Sequence, residues 1–157
     1  MIVSALIAAV TVTSISAVLG KPAGSVIRTF VFSILITYAS LLDIKSREVD
    51  DIFSACILCF SFSFRTLGDI PKIAVGAVFG LLIMLIPALI MKKGKLGGAD
   101  IKMSCAVGAF LTSFNCAIAI IFSMILSLIY GIKHKDKSIP LIPFIAVGAV
   151  ITNLILE

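Results

Sequence analysis

Charge is scarce in this chain. Only 13% of its 157 residues are charged, 61% are hydrophobic, and the mean hydropathy is +1.24. A water-soluble domain carries roughly 25% charged and about 45–50% apolar residues, so a soluble fold is excluded. No polar stretch is long enough to fold by itself, which leaves a single domain over residues 1–157. Histidine is scarcer still. His134, in the basic stretch "KHKDKS", is the only one, so a serine–histidine nucleophile and a histidine-built metal site are both set aside. Cys56, Cys59, Cys105 and Cys116 all fall inside apolar runs. Cys56 and Cys59 form a C-x-x-C, yet no second pair accompanies them, and small apolar packing residues are expected there rather than a zinc or redox centre. No metal and no cofactor are expected.

What is present is a series of apolar runs, at about 2–20, 25–42, 52–67, 73–91, 101–113, 116–131 and 139–156. A spanning helix takes about 20 apolar residues, and backbone in lipid must pair its own polar groups, so these segments are expected to be helices. The fold class expected is an all-α, polytopic membrane helical bundle of six to seven transmembrane segments. The first run has no basic region before it beyond the amino terminus, and it is expected to be a retained helix rather than a cleaved signal.

The charges punctuate the runs and give an orientation. With the loops at 43–51, 92–102 and 132–138 facing the cytoplasm, nine of thirteen basic residues lie inside: Lys45, Arg47, Lys92, Lys93, Lys95, Lys102, Lys133, Lys135 and Lys137. Lys21, Arg28, Arg65 and Lys72 lie outside, a positive-inside bias. The net charge of +5 is then a topology signal whose partner is anionic membrane lipid, and it needs no nucleic acid.

Eight carboxylates remain to be assigned. Asp69 and Glu157 fall on the outer side, Asp136 lies among lysines, and Glu48 is mid-loop. Asp50 and Asp51 precede "IFSACILC", where an acid caps a helix and complements its dipole. Asp43, after "TYASLL", and Asp100, before "IKMSCAVGAF", both stand at cytoplasmic ends of apolar runs. An ionisable residue at membrane depth points to function. Two close carboxylates share a proton, so one draws a proton from water as it attacks a peptide carbonyl while the other donates to the carbonyl oxygen. Gly97 and Gly98 precede Asp100 and are expected to give the backbone there conformations that other residues resist.

At these residues the sequence resembles the type IV prepilin peptidases, membrane aspartic peptidases of the GxGD kind. "DIKSREVDD" (43–51) is similar to the family's first aspartate motif, "GGADIKM" (97–103) to its G-x-G-D motif, and "IPLIPFIAVGAV" (139–150) to its late Pro-rich helix start. The resemblance implies that Asp43 and Asp100 are the catalytic pair, with Gly97 and Gly98 in the loop that presents Asp100. It implies a pilin-like precursor as substrate, cut on the cytoplasmic side between a short basic leader and a hydrophobic helix. Ala99 stands where the motif has its second glycine, and a positive φ there would cost about 1 kcal/mol. Asp50 and Asp51 replace a proline–asparagine pair. The chain has no room for the methyltransferase insert of longer members, so a peptidase-only form is implied. An alternative of another class is a small proton- or cation-coupled transporter in which Asp100, beside an interrupted helix, binds the ion.

Overall fold

The computed structural model describes residues 2–18, 20, 22–46, 49–63, 65–90, 97–134 and 140–156. Lys21, Arg47, Glu48, Lys92, Lys93, Lys95, Lys135, Asp136, Lys137 and Glu157, on which much of the charge reading rests, lie outside the described residues, as do the side chains of Lys133 and His134.

Seven α-helices follow the seven apolar runs among the described residues: α1 (Ile2–Val18), α2 (Ala23–Ser46), α3 (Asp51–Phe60), α4 (Ile70–Ile90), α5 (Gly98–Leu111), α6 (Ser113–His134) and α7 (Ile142–Leu156). A single 3-10 turn, Leu67–Asp69, leads into α4. Prolines sit where a helix tolerates them. Pro22 precedes α2, and Pro71 and Pro143 occupy first turns, whose N–H groups have no partner to lose. Pro87 is the exception, inside the last turn of α4. By length and composition three helical stretches are long and apolar enough to cross a membrane: Ala23–Ser46, Leu67–Leu89 and Phe114–Ile132. The stretches Leu6–Ala17, Asp51–Phe60 and Ile142–Leu156 are apolar but shorter. This is an all-helical membrane protein.

α3 ends sooner than its apolar run. The helix stops at Phe60 and the chain turns, which lets the Arg65 guanidinium donate to the Phe110 carbonyl oxygen at 2.7 Å. A charged side chain is thereby spent on an α5 carbonyl near the helix's C-terminal end rather than left in apolar surroundings.

The bundle is organised around α5, which packs against α3, α4, α6 and α7. Met103, Ser104 and the whole run Ala106–Leu111 are buried. A helix covered on all sides has no amphipathic stripe to show, and none is visible in this one. Its closest neighbour is α4. Gly76 and Gly80, one turn apart, face Gly108 and Ser104, and a Cβ on any of the three glycines would run into a carbonyl oxygen of the other helix. The Ser104 hydroxyl donates to the Gly80 carbonyl at 2.5 Å. Helix association in lipid relies on such close backbone approach at small residues. On the opposite faces the bundle is greasy outward: Val75, Val78, Phe79 and Leu82 of α4 and Ile121, Ile125 and Leu128 of α6 are exposed. An apolar belt of that extent faces lipid rather than water.

α2 meets α5 through side chains. Phe32 stacks on Phe110 with ring centroids 3.9 Å apart and planes 8° from parallel, and the Arg28 guanidinium lies 5.0 Å over the same Phe110 ring. α2 and α7 are tied near one end by Asn153, whose side-chain N–H donates to the Thr29 hydroxyl at 3.0 Å.

Candidate active site

The other end of the bundle gathers both aspartates. Asp43 stands in the last turn of α2, which continues four residues beyond the expected boundary at Leu42. Its side chain points inward and the residue is 8% exposed. Oδ2 accepts a hydrogen bond from the backbone N–H of Ile142 at 3.2 Å. Ile142 is the first residue of α7, so a carboxylate from one helix satisfies an orphan N–H of another.

Asp100 occupies the third position of α5, ahead of the apolar run and outside the three helices long enough to cross a bilayer. Its Oδ2 accepts the Gly97 N–H at 3.3 Å, and its own N–H donates to the Gly97 carbonyl at 3.1 Å. This is half of a capping box: an acid at the third position reaches back to the N-cap. Burial, and next the Asp43 charge, push the Asp100 carboxyl up to about 6, while the Gly97 N–H pulls the other way. The two carboxylates, distant in sequence, thus feel each other electrostatically. Such a pair differs in proton affinity and can hold a proton on one member while the other is charged.

The glycines do different work from that expected of them. Gly97 has φ −73° and ψ 142°, ordinary extended backbone open to any residue, and Gly98 is already the first residue of α5 rather than part of a loop. The only positive-φ glycine among the described residues is Gly20. Space at 97 is tight rather than closed: a Cβ there would stand 3.2 Å from the Asp100 Oδ2, which would have to give way slightly. A Cβ on Gly98 would meet nothing within 4 Å. Ala99 is helical and packs partly buried against the core, so no positive φ is asked of it and the expected alanine cost does not arise.

Asp50 holds the N-cap position of α3, but its side chain makes no cap hydrogen bond. Asp51, in the first turn, forms an ion pair with Lys102 of α5 at 2.5 Å, both side chains being exposed. Cys56 and Cys59 are exposed on α3 rather than packed, which corrects the expectation for that pair, whereas Cys116 is buried as expected. Among the described residues no group of three His, Cys, Asp or Glu could hold a metal ion.

The sequence reading missed Ile142 and a stripe on α2. Thr29, Ser33, Thr37, Ser40 and Asp43 recur at spacings of three and four and therefore share one helix face. That spacing was the available signal.

No curated protein and no solved structure matches this chain. The family model for the type IV leader peptidase family matches residues 30–132, which include Asp43 and Asp100 and stop short of the Pro-rich start of α7. With about two thirds of its length so matched, and two acidic side chains coupled at one end of an all-helical bundle, the chain belongs to the type IV leader peptidase family.

Proposed function

We propose that this protein is a membrane aspartic endopeptidase that removes the short leader from type IV pilin-like precursors at the cytoplasmic face of the cell membrane. The observation that carries the reading is the placement of Asp43 and Asp100 at one end of the bundle, within a chain region that matches the leader peptidase family, with burial and next the Asp43 charge raising the Asp100 carboxyl. That rise, to about 6, is the ground for assigning Asp100 the proton-donor role. Asp43, seated against the Ile142 N–H, is then the base.

A water between the two carboxyls loses a proton to Asp43 as its oxygen attacks the scissile carbonyl carbon. Asp100 gives its proton to the carbonyl oxygen, so the tetrahedral intermediate is a neutral gem-diol. Asp43 then passes the proton it took to the departing amide nitrogen, the C–N bond breaks, and the gem-diol returns a proton to Asp100 as it collapses to the acid. Atoms and charge balance, and the pair ends in its starting state.

The basic residues bear on orientation. Lys45 and Lys102 belong to the aspartate end, while Arg28 and Arg65 belong to the Phe110 end. The nine-to-four division of basic residues in the sequence supports an orientation with the aspartates on the cytoplasmic side, where a basic leader would be presented. The purified protein in detergent, mixed with a prepilin, should release the leader. A protein that transports an ion through Asp100 would leave the precursor intact, and that result would end the peptidase reading.

A further inference from the structure

α1, α2 and α7 enclose a groove of about 330 Å³ whose walls include Ala8, Ser33, Thr37, Ser40, Pro143 and Ala146. One of these side chains is out of place in a finished core. Ser33 is 1% exposed, and its Oγ has no hydrogen-bond partner among the described residues. Of the other buried serines, Ser61 and Ser123 turn back to the carbonyl four residues earlier, at 2.8 and 2.6 Å, and Ser104 donates across to Gly80, while Ser16 of α1 also has no partner among the described residues. Ser33 makes neither kind of bond, and a hydroxyl buried without a partner is costly.

The groove approaches Asp43. Ser40 is one turn before Asp43, and Pro143 adjoins the Ile142 whose N–H holds the Asp43 carboxylate. A second groove of the same size lies between α3, α4 and α5, lined on α5 by Ile101, Lys102, Cys105 and Ala106. Helical spacing puts those four residues on the opposite side of α5 from Asp100. The α1–α2–α7 groove is therefore the one that borders Asp43.

We infer that this groove seats the apolar helix of the peptide substrate beyond the cut bond, with the Ser33 hydroxyl donating to a backbone carbonyl or side-chain oxygen of that helix. The inference rests on the peptidase reading above and names where its substrate docks. A paired helix carbonyl keeps a second lone pair for such a donor, whereas a lipid acyl chain offers none. Small wall residues such as Ala8 and Ala146 permit close helix approach. Ser33 lies ten residues before Asp43 on α2, about 15 Å along the helix axis, so it meets the substrate about ten residues past the cleaved bond.

The test uses the full chain in membranes with a precursor made of a short basic leader and an apolar helix. A photo-crosslinking residue replaces Ile151, on the groove wall, or Val78, on the outer face of α4, in an Asp100→Asn background that leaves the precursor uncut. Attachment from position 151 to the precursor, within a turn or so of its tenth residue past the leader, is the expected result. Attachment from 78 alone, or from 151 to lipid alone, overturns the groove while cleavage by the unsubstituted protein keeps the peptidase reading. Absence of cleavage by the unsubstituted protein overturns that reading first and the groove with it. Ser33→Ala gives an independent measure. It should leave thermal stability unchanged or higher, since it removes an unpartnered hydroxyl, yet raise KM about three- to tenfold. An unchanged KM would mean that Ser33 meets no substrate.

Discussion

The Asp43 carboxylate accepts its hydrogen bond from the N–H of Ile142, a residue 99 positions later in the chain. A side chain at the end of α2 thereby closes the start of α7, and the same end of the bundle carries Asp100 close enough to feel the Asp43 charge. The pair is thus part of the helix packing as well as of the proposed chemistry.

Asp43→Asn and Asp100→Asn should each insert at normal levels, because the carboxamide oxygen retains an acceptor for the Ile142 or Gly97 N–H. Each should lose leader cleavage by on the order of 10²–10⁴-fold, the span of a general acid or base. The double variant should be no slower than the slower single, as groups acting as a unit show non-additive losses. Asp50→Asn and Asp51→Asn should keep much of the activity. Asp50 makes no cap bond, and the Asp51–Lys102 pair is exposed, worth about 0–1 kcal/mol. Cleavage that survives Asp43→Asn but not Asp51→Asn would move the first aspartate to position 51.

A proton on Asp100 sets the pH response. Its pKa rises in the folded protein from 3.8 to about 6, so the donor form predominates below about 6 and is lost as pH rises through that value. The logarithm of kcat/KM, which reports groups of the free enzyme, should fall with unit slope above it. Stability carries the same sign: the contribution of this proton is fully present below 3.8 and disappears as pH passes about 6. A kcat/KM constant from pH 5.5 to pH 8, measured with precursor well below saturation, would remove Asp100 from the donor role.

Three glycines should respond differently to alanine. Gly108→Ala places a methyl group against the Gly76 carbonyl of α4, where only backbone can yield, and should cost about 1–3 kcal/mol in detergent unfolding. Gly97→Ala crowds the Asp100 carboxylate and should lower cleavage with little change in melting. Gly98→Ala enters open space at the start of a helix and should be neutral or stabilising by up to about 1 kcal/mol.

The cleaved product should carry no added methyl group. The only C-x-x-C is exposed along an apolar helix, far from the paired zinc-type arrangement the methyltransferase of longer members implies. Adding S-adenosylmethionine to the purified reaction should leave the product mass unchanged, and a gain of one methyl would refute this.

Much of the bundle was legible because lipid leaves an apolar run little choice but to be a helix. The runs at 73–91 and 116–131 became α4 and α6 within a few residues. α3 fell seven residues short of its run because the ends of an apolar stretch do not reveal a tertiary demand, here the reach of Arg65 to Phe110. Asp43 and Asp100 stood out as carboxylates at the edges of apolar runs. Their mutual influence, and the Ile142 N–H, depend on which helices are neighbours, and hydropathy is silent on that. The glycines before Asp100 were misread for a related reason. Backbone freedom is a property of one residue, but the tight space at 97 comes from the carboxylate three residues on. Gly76-x-x-x-Gly80 did carry a legible signal for close helix contact, and it was the feature the sequence reading passed over.

That glycine contact divides the molecule mechanically. With carbonyls of α4 and α5 against each other's glycines, neither helix has room to slide or turn alone, so Asp100 travels only with both. Asp43 belongs to the other unit, since α2 and α7 are fastened near both ends by Thr29–Asn153 and Asp43–Ile142. A change in the gap between the carboxyls would then require one helix pair to shift against the other, across the contact made by the stacked rings of Phe32 and Phe110.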